Sequence, residues 1–243
     1  MDTTAHYNEL GQPVGFPLPQ WKPPPRPPRT PLLGRYCRLE PLDPAQHTAD
    51  LCAANALDVD GGGWTYLTAG PLVTLDDYHG WMHKSCMGED PLYYAIVNLP
   101  DEKAVGVASY MRIDPKNGTI EVGSIKYSPL LQRTRAATEA MHLMMRGAFA
   151  LGYRRYEWKC DTFNAPSRAA AQRYGFSYEG VFRQAVIYKG RTRDTAWYSI
   201  IDSEWPAIDA AFTRWLAADN FDAAGKQRLS LSQLTAPLVK RRG

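Results

Sequence analysis

The stretch Ile125–Met141, IKYSPLLQRTRAATEAM, decides the fold, because a strand, a stop and a helix start follow one another within it. A strand-like segment ends at Pro129, and a helical pattern begins at Arg135. Arg133 and Arg135 stand at the helix start, an end that the helix dipole already makes positive. Free backbone N–H groups and two cations there would suit an anion such as a phosphate. On spacing alone, a solvated turn that carries two arginines and binds nothing is the more common arrangement, and a phosphate site is the less common one.

The segments around this stretch alternate between helix and strand patterns. Residues 135–151 place small and methionine side chains on one face at helical spacing, and Gly152 follows as a stop. Thr74 and Asp77 have the spacing of a capping box that opens a helix. The order expected over residues 34–202 is β-α-α-β-β-β-α-β-α-β-β, which is a mixed α/β (α+β) domain.

Two segments outside that domain differ from it. Residues 1–33 carry nine prolines, all within residues 13–31, which favours polyproline II and is expected to build neither sheet nor helix. We expect a proline-rich extended arm that lies over its own domain, with Phe16 and Trp21 as anchors. A ligand for a proline-binding groove and a disordered leader are the alternatives. Residues 203–243 are expected to form a C-terminal helical extension.

The composition of the 243 residues limits the classes of function. A hydrophobic content of 44% supports a core, and a formal charge of +3 is too small to indicate nucleic-acid binding. The four cysteines have no framework spacing, so we expect free thiols in a reducing compartment. The N-terminus lacks the apolar core of a signal peptide, and no run is long enough to span a membrane. We therefore expect a cytoplasmic protein with no nucleic-acid or membrane partner.

Three segments together resemble a known family. The sequence EVGSIKYSPLLQRTRAATEA (residues 121–140), the sequence NAPSRAAAQRYGF (164–176) and the hairpin at 181–201 resemble the GNAT superfamily of acyl-CoA-dependent N-acetyltransferases. More narrowly, they resemble the branch that acetylates the N-termini of ribosomal proteins. The resemblance implies a central, mostly antiparallel twisted sheet flanked by helices, with a V-shaped splay between two central strands.

The resemblance also implies acetyl-CoA as co-substrate, with its diphosphate on the loop Gln132–Ala137 and its pantetheine arm between strands 119–127 and 153–160. The loop of the family reads Gln/Arg-x-x-Gly-x-Gly/Ala, and Arg135 replaces the first glycine. A residue other than glycine there must either keep ordinary helical geometry or hold the diphosphate further away. The residues implied to contact the cofactor are Ile125, Tyr127, Gln132, Arg133, Thr134, Arg135, Ala136, Ala137, Asn164 and Ser167.

Acetyl transfer to an amine needs a proton acceptor, because an amine with a pKa of about 8 to 10 is mostly protonated at neutral pH. Glu121 is the candidate base, since the resemblance implies that its side chain points into the cleft. A structural hydrogen-bonding role for Glu121 is the alternative. The tyrosine that protonates the leaving thiolate in many members is replaced by Ala171, and the resemblance implies Ser167 in that role. Asn164 also fits the N-cap of the helix that follows it.

The resemblance implies that the helix near residues 75–87 borders the pocket for the amine acceptor. That acceptor is expected to be a peptide N-terminus or a small amine. A homodimer is compatible with the sequence, which leaves the oligomeric state open. The residues expected to bind the acceptor are Trp64, Tyr66, Trp81, His83 and Glu121.

Two alternatives to an acetyltransferase follow from the same sequence. The altered loop and the missing tyrosine are compatible with an acyl-CoA-binding protein that has little or no turnover. His79, His83 and Cys86 share one helical face, as in a zinc site, but a fourth ligand is not apparent. We therefore expect no metal.

Overall fold

This computed structural model describes residues 5–243, which contain ten strands and six α-helices. The strands are β1 (His6–Tyr7), β2 (Pro13–Val14), β3 (Leu32–Leu33), β4 (Cys37–Pro41), β5 (Leu92–Asn98), β6 (Lys103–Asp114), β7 (Thr119–Tyr127), β8 (Arg155–Asp161), β9 (Ser177–Tyr188) and β10 (Arg191–Ile201). The helices are α1 (Pro44–Asn55), α2 (Leu75–Ser85), α3 (Arg135–Ala150), α4 (Ala165–Arg173), α5 (Trp205–Leu216) and α6 (Leu231–Thr235). Single turns of 3₁₀-helix lie at Gly62–Trp64 and Ala218–Asn220.

Eight of the strands form one sheet in the order β3-β4-β5-β6-β7-β8-β10-β9. All neighbouring pairs in it are antiparallel except β7 and β8, which are parallel. The paired residues of β7 and β8 end with Val122 opposite Trp158. Beyond that pair β7 runs on to Tyr127 and β8 to Asp161 without pairing to each other. The sheet is therefore split at its centre.

A bulge bends β7 where the split begins. The register with β6 shifts between Gly123 and Lys126, so that two residues of β7 lie opposite one residue of β6. Ser124 in this bulge has a φ of 50°, a left-handed conformation that is uncommon outside glycine. Because a bulge increases the local twist and redirects its strand, this one turns the end of β7 away from β8.

Helix α3 covers one face of the sheet beside the split, and its apolar stripe is buried. Helix α5 packs against α3 through stacked rings, with His142 5.0 Å from Phe212 and Phe149 4.8 Å from Trp205. The C-terminal residues therefore belong to the same core. On the opposite face, α1 and α2 enclose a second apolar cluster that includes Trp64.

The proline-rich segment lies against the domain. Trp21 donates a hydrogen bond from Nε1 to the carbonyl of Lys116 at 3.3 Å. The guanidinium of Arg154 lies 5.8 Å from the Trp21 ring and 5.9 Å from the Phe16 ring. The expectation that this segment forms no sheet is wrong in two places, because β1 pairs with β2 and β3 pairs with β4 at the edge of the main sheet. Each pairing involves only two residues per strand, so it demands few of the N–H donors that proline lacks.

The expected fold class is confirmed: a mostly antiparallel central sheet is flanked by helices. The capping box is present, since the hydroxyl of Thr74 accepts from the Asp77 N–H at 3.1 Å and the Asp77 carboxylate accepts from the Thr74 N–H at 2.9 Å. All four cysteines are free thiols. In the described part of the chain, none of the helices has both the length and the apolar character that crossing a bilayer requires.

Candidate functional site

A cleft of about 1340 Å³ opens where β7 and β8 separate. Its walls come from the split ends of those strands, the first turn of α3, helix α4 and the β9–β10 hairpin. The loop before α2 adds Tyr66, Leu67 and Thr68. The last wall is the C-terminal segment, defined here as residues 215–227, which contributes Trp215, Phe221, Gly225 and Gln227.

The first turn of α3 offers backbone donors to this cleft. Thr134 is the N-cap, and its hydroxyl accepts from the Ala137 N–H at 3.1 Å. The N–H groups of Arg135 and Ala136 precede the first intrahelical bond and have no partner of their own in the helix. Arg135 has ordinary helical geometry, whereas Arg133 takes the left-handed conformation with a φ of 62°. The backbone that needs a glycine-like conformation is therefore at Arg133, two residues before the position where the sequence pattern placed it.

The structure brings nearly all the residues implied to contact a cofactor to this cleft. Nine of them line it, namely Ile125, Tyr127, Gln132, Arg133, Thr134, Arg135, Ala137, Asn164 and Ser167. Ala136 does not line the cleft. Its side chain is buried, and its carbonyl accepts from the thiol of Cys37 at 3.4 Å.

Asn164 and Ser167 are held together at the start of α4. Asn164 is the N-cap, and its side-chain oxygen accepts from the Ser167 N–H at 3.1 Å. The hydroxyl oxygen of Ser167 accepts from Nε1 of Trp158 at 3.0 Å. Because that contact occupies an acceptor site on Ser167, the hydroxyl hydrogen remains available to point into the cleft.

Glu121 lies on β7 next to the split and is almost completely buried, with 3% of its surface exposed. Its Oε2 atom lies 2.6 Å from Nη1 of Arg112 and 2.8 Å from Nζ of Lys159. Lys159 also lies 2.7 Å from Oε2 of Glu157, and its Nζ is 3.7 Å from the centre of the Trp197 ring. Such pairing allows a carboxylate to stay charged when it is buried.

This network continues away from the cleft along the sheet. Arg155 contacts Glu157 at 2.6 Å and Glu179 at 2.6 Å. The hydrogen bond from Arg155 holds the pKa of Glu179 below its ordinary value. Glu121 therefore stands at the cleft end of a row of alternating charges.

Two further groups in the cleft have shifted pKa values. Burial raises the pKa of the Cys160 thiol, so that at neutral pH Cys160 is protonated and a poor nucleophile. The hydrogen bond from Lys126, at 2.7 Å, lowers the pKa of Asp58. This ion pair fixes the loop before α2 against β7.

The same loop carries two residues expected to bind the acceptor. Tyr66 lines the cleft and donates its hydroxyl to the carbonyl of Phe163 at 3.0 Å. Trp64 is buried beneath Nζ of Lys126, which lies 4.8 Å from its ring, and its carbonyl accepts from Nζ of Lys189 at 2.7 Å. Tyr66 thus faces the cleft, and Trp64 supports the loop from below.

Trp81 and His83 do not line the cleft. Trp81 packs edge-on against Tyr93 with ring centres 5.6 Å apart, and His83 lies at the surface with its Nε2 3.2 Å from Nε2 of His79. Cys86 is buried at the end of α2. Within residues 5–243, no group of three or more His, Cys, Asp or Glu side chains stands close enough together to hold a metal ion.

Several cleft residues were not identified from the sequence. The partners of Glu121, Arg112 and Lys159, come from neighbouring strands, and alternation along β8 could have placed Lys159 on the same face as Glu157. Arg173 and Tyr174 also line the cleft. The contribution of the C-terminal segment had no sequence signal, because its position depends on tertiary packing.

The comparisons with known proteins agree with this geometry. The family model of the acetyltransferase (GNAT) domain matches residues 37–177, more than half of the 243-residue chain. A GCN5-related N-acetyltransferase from Brucella melitensis is 46% identical with a TM-score of 0.88, and the match covers 90% of this chain and 100% of that chain. A protein from Chromobacterium violaceum ATCC 12472, described as an acetyltransferase of the GNAT family, is 38% identical with a TM-score of 0.75. That match covers 81% of this chain and 98% of the other.

The ribosomal branch is represented by a more distant structure. RimL, a ribosomal L7/L12 α-N-protein acetyltransferase solved with coenzyme A, is 20% identical with a TM-score of 0.57, over 70% of this chain and 97% of that chain. A likeness at this identity shows the common fold alone, so the narrower resemblance to the ribosomal branch is only distant. Among curated proteins, none matches the sequence.

Proposed function

Because the chain belongs to the GNAT family of acetyltransferases, we propose that it is an N-acetyltransferase. In this proposal it moves the acetyl group of acetyl-CoA to a primary amine, and the amine attacks the thioester directly. The observation that carries the proposal is the position of a buried carboxylate, Glu121, in the same cleft as the first turn of α3. One cavity thus offers donors for a diphosphate and a proton acceptor for an amine.

The proposed cofactor site uses the split sheet and the start of α3. The diphosphate would be held by the backbone N–H groups near Arg133 and Arg135, where the helix dipole also favours an anion. The pantetheine arm would run along the ends of β7 and β8, whose facing edges are not paired to each other. RimL, which has the same fold, is known with coenzyme A bound, and this supports the assignment.

The proposed reaction exchanges one bond for another. The neutral amine nitrogen attacks the thioester carbon, a C–N bond forms and the C–S bond breaks, so that an amide and coenzyme A result. The amine loses one proton, and the thiolate gains one. Glu121 is proposed to accept the amine proton, directly or through water, at Oε1, since its Oε2 contacts Arg112 and Lys159. Ser167 is proposed to pass a proton to the thiolate while it takes one from a water molecule, so that its hydroxyl is restored.

The raised pKa of the cysteine thiol in the cleft favours direct attack by the amine over an acyl-enzyme intermediate. Cys160 lines the cleft, but burial raises its pKa, whereas a nucleophilic cysteine requires a lowered one. The other cysteines, Cys37, Cys52 and Cys86, do not line the cleft. A covalent intermediate therefore has no activated cysteine to form on.

We propose a peptide N-terminus or a small molecule as the amine acceptor. It would enter between the loop that carries Tyr66 and the β9–β10 hairpin, where Phe182, Val186 and Trp197 form an apolar wall. Arg112 and Arg193 line the same region.

The test is release of free thiol from acetyl-CoA in the presence of a panel of amines, with the acetylated product identified by mass spectrometry. We expect thiol release that depends on the amine and matches the amount of amide formed. Tight binding of acetyl-CoA without turnover for any peptide or small amine would contradict the proposal. That outcome would favour the acyl-CoA-binding alternative, for which the loop without its first glycine is the supporting observation.

A homodimer is also proposed. Strand β9 is the edge of the sheet, and its apolar side chains Val181 and Ile187 are 40% and 81% exposed. Exposed apolar side chains on a sheet edge favour pairing with another chain. Light scattering on the purified protein is expected to give a dimer mass for the wild type and a monomer mass for Ile187→Lys, and a monomeric wild type would contradict the dimer.

A further inference from the structure

Four cationic side chains that belong to strands of the sheet line the cleft, and three of them are neutralised. Arg112, Lys126 and Lys159 each form a salt bridge with a carboxylate. The fourth, Arg193 on β10, forms none within the described residues. A guanidinium stays charged at any physiological pH. A charged group of this kind in the wall of a cavity favours an anionic ligand.

Arg193 is held in place by two neighbouring side chains. Its Nε donates to Oγ1 of Thr195 at 3.1 Å, and Thr195 is itself buried. Its Cζ atom lies 5.9 Å from the centre of the Tyr188 ring, and the Tyr188 hydroxyl donates to Oδ2 of Asp161 at 2.9 Å. Because Nε is occupied, the two terminal nitrogens of Arg193 remain as a fork that matches the two oxygens of a carboxylate.

Asp161 also lines the cleft, but its oxygens already accept hydrogen bonds. Oδ1 accepts from the Phe163 N–H at 2.9 Å, and Oδ2 accepts from the Tyr188 hydroxyl. In the part of the chain that the structure describes, no salt bridge joins Asp161 to Arg193. Burial raises the pKa of the Cys160 thiol, and the charge of Arg193 is one of the influences that oppose this rise. The guanidinium is therefore close enough to act on a group inside the cleft.

An apolar surface lies between Arg193 and the proposed proton acceptor, Glu121. Trp197 stands opposite Lys159 in the register of β10 and β8, and Lys159 contacts Glu121. The ring of Phe182 lies 4.3 Å from the ring of Trp197, and both side chains line the cleft. A ligand that reaches from Glu121 to Arg193 would therefore pass over two aromatic rings.

The strand geometry sets the length of this surface. The hydrogen bond to Thr195 places the guanidinium of Arg193 two residues, or about 7 Å, from Trp197 along β10. Glu121 lies on β7, two strands away from β10, which corresponds to about 10 Å across the sheet. A ligand that contacts both residues thus spans on the order of 10 Å, the length of about three residues of extended peptide. The amine and the carboxylate of a single α-amino acid are too close together to span it.

We propose that the amine acceptor carries a carboxylate, which Arg193 binds while the amine lies at Glu121 and an apolar segment lies against Phe182 and Trp197. This inference rests on the proposed function, because it concerns the acceptor of that reaction. A carboxylate is favoured over a phosphate, because its single charge matches the single guanidinium. An acidic third residue of a peptide and the far end of a long ω-amino acid share this chemistry. Arg193 is thus a residue that determines specificity without contacting the reacting atoms.

Steady-state acetylation of two matched pairs of amines by the whole chain tests the proposal. In the first pair 8-aminooctanoate is compared with 8-aminooctanamide. In the second, the peptide amide Ala-Leu-Glu is compared with the peptide amide Ala-Leu-Gln. The member with the carboxylate is expected to have a kcat/KM that is higher by about ten- to hundred-fold, as expected for a hydrogen bond between charged groups. Selectivity in the first pair alone assigns a small-molecule acceptor, and selectivity in the second alone assigns a peptide. Selectivity in either pair or in both supports the proposal.

Variants of the hairpin connect this selectivity to one side chain. Arg193→Gln is expected to lower kcat/KM for the carboxylate member by about ten- to hundred-fold and for the neutral member by less than about two-fold. Arg193→Lys keeps the charge without the fork and should restore part of the loss. Arg191→Gln is the matched control, because Arg191 is an exposed arginine of the same strand that does not line the cleft. It is expected to keep the selectivity of the wild type.

Equal kcat/KM of the wild type for both members of each pair would overturn the proposal, even if a variant failed to fold. Selectivity that persists in Arg193→Gln would overturn the role of Arg193. Failure of the proposed function is a different outcome, which calorimetric titration of 8-aminooctanoate and 8-aminooctanamide in the presence of coenzyme A identifies. A protein that binds the carboxylate member more tightly but acetylates neither would contradict the enzyme assignment and support the carboxylate site. A protein that acetylates both equally would do the reverse.

Discussion

Lys159 and Glu121 form an ion pair at the base of the cleft, with Nζ 2.8 Å from Oε2 and side-chain exposures of 6% and 4%. The two residues come from neighbouring parallel strands at the point where these strands begin to separate. Arg112 contacts the same oxygen from β6. The charge of Glu121 is thus held in place by residues of two other strands, and one of its oxygens remains for other contacts.

Removing the carboxylate of Glu121 is expected to slow the chemical step. In Glu121→Gln the amine has no positioned proton acceptor, so kcat should fall by about 10²- to 10³-fold, while KM for acetyl-CoA should change by less than about two-fold. Steady-state kinetics with a fixed amine measures both quantities. Glu179→Gln is the control, because Glu179 stands at the other end of the charge row and does not line the cleft. A similar loss in both variants would assign Glu121 a structural role only.

Removing the charge of Lys159 is expected to destabilise the fold. In Lys159→Met, the carboxylates of Glu121 and Glu157, which lie directly opposite in register, lose the cation between them. Breaking a buried pair in this way lowers the free energy of unfolding by about 3–5 kcal/mol, which urea denaturation measures. Adding Glu157→Gln to that variant should recover part of the loss, and no recovery would contradict the explanation by charge.

Tyr66 and His83 are expected to differ in their effect on the acceptor. Tyr66→Phe removes the hydrogen bond to Phe163 that holds the loop beside the cleft. We expect KM for the amine to rise by about five-fold, in line with about 1 kcal/mol for one hydrogen bond. His83→Ala should leave that KM unchanged, since His83 lies outside the cleft lining. The opposite order of effects in amine titrations would place the acceptor near α2.

Arg133 is expected to store backbone strain. Its φ of 62° costs a residue with a Cβ about 1–2 kcal/mol relative to glycine. Arg133→Gly and Arg133→Ala remove the same charge, so their comparison isolates the backbone. The glycine variant should be more stable by about 1 kcal/mol in chemical denaturation, and equal stability would exclude strain at this position.

His142 is expected to make stability depend on pH. Burial lowers its pKa, and the Asp209 carboxylate 2.6 Å away opposes this shift without overcoming it. The unfolded chain therefore binds a proton at a higher pH, near the ordinary value of about 6.5, than the folded chain does. The contribution of His142 to the free energy of unfolding is therefore fully present above pH about 6.5, and it is lost as the pH falls from there toward the pKa of the folded state.

His142→Gln should accordingly lose less stability than the wild type when the pH is lowered from about 7.5 to about 5.5. Thermal unfolding at several pH values measures the difference. A steeper curve for His142→Gln would show that the ion pair with Asp209 dominates over burial.

The order of elements could be predicted because its signals are local. The Thr74–Asp77 capping box, the Asn164 N-cap and the stripe of α3 depend on residues within a few positions of one another. The candidate site could be predicted from the sequence only in part. Residues 132–137 carried a recognisable pattern, whereas the pairing of Glu121 with Lys159 needs the strand order as well as the alternation.

Other features depend on packing that a single sequence does not encode in any short pattern. Helix α2 turns Trp81 toward Tyr93 and leaves His83 at the surface, although both were expected beside the acceptor. The C-terminal segment has weak periodicity, and only its docking against α3 and α4 places Trp215 and Phe221 in the cleft.

The split between β7 and β8 also determines what joins the two halves of the sheet. Five strands on one side and three on the other share only the short parallel pairing that ends at Val122 and Trp158. A pantetheine arm lying in the gap would connect the two halves with its own amide groups. While it is bound, the substrate would thus add hydrogen bonds between the two halves of the sheet. The melting temperature should therefore rise with the substrate concentration by mass action.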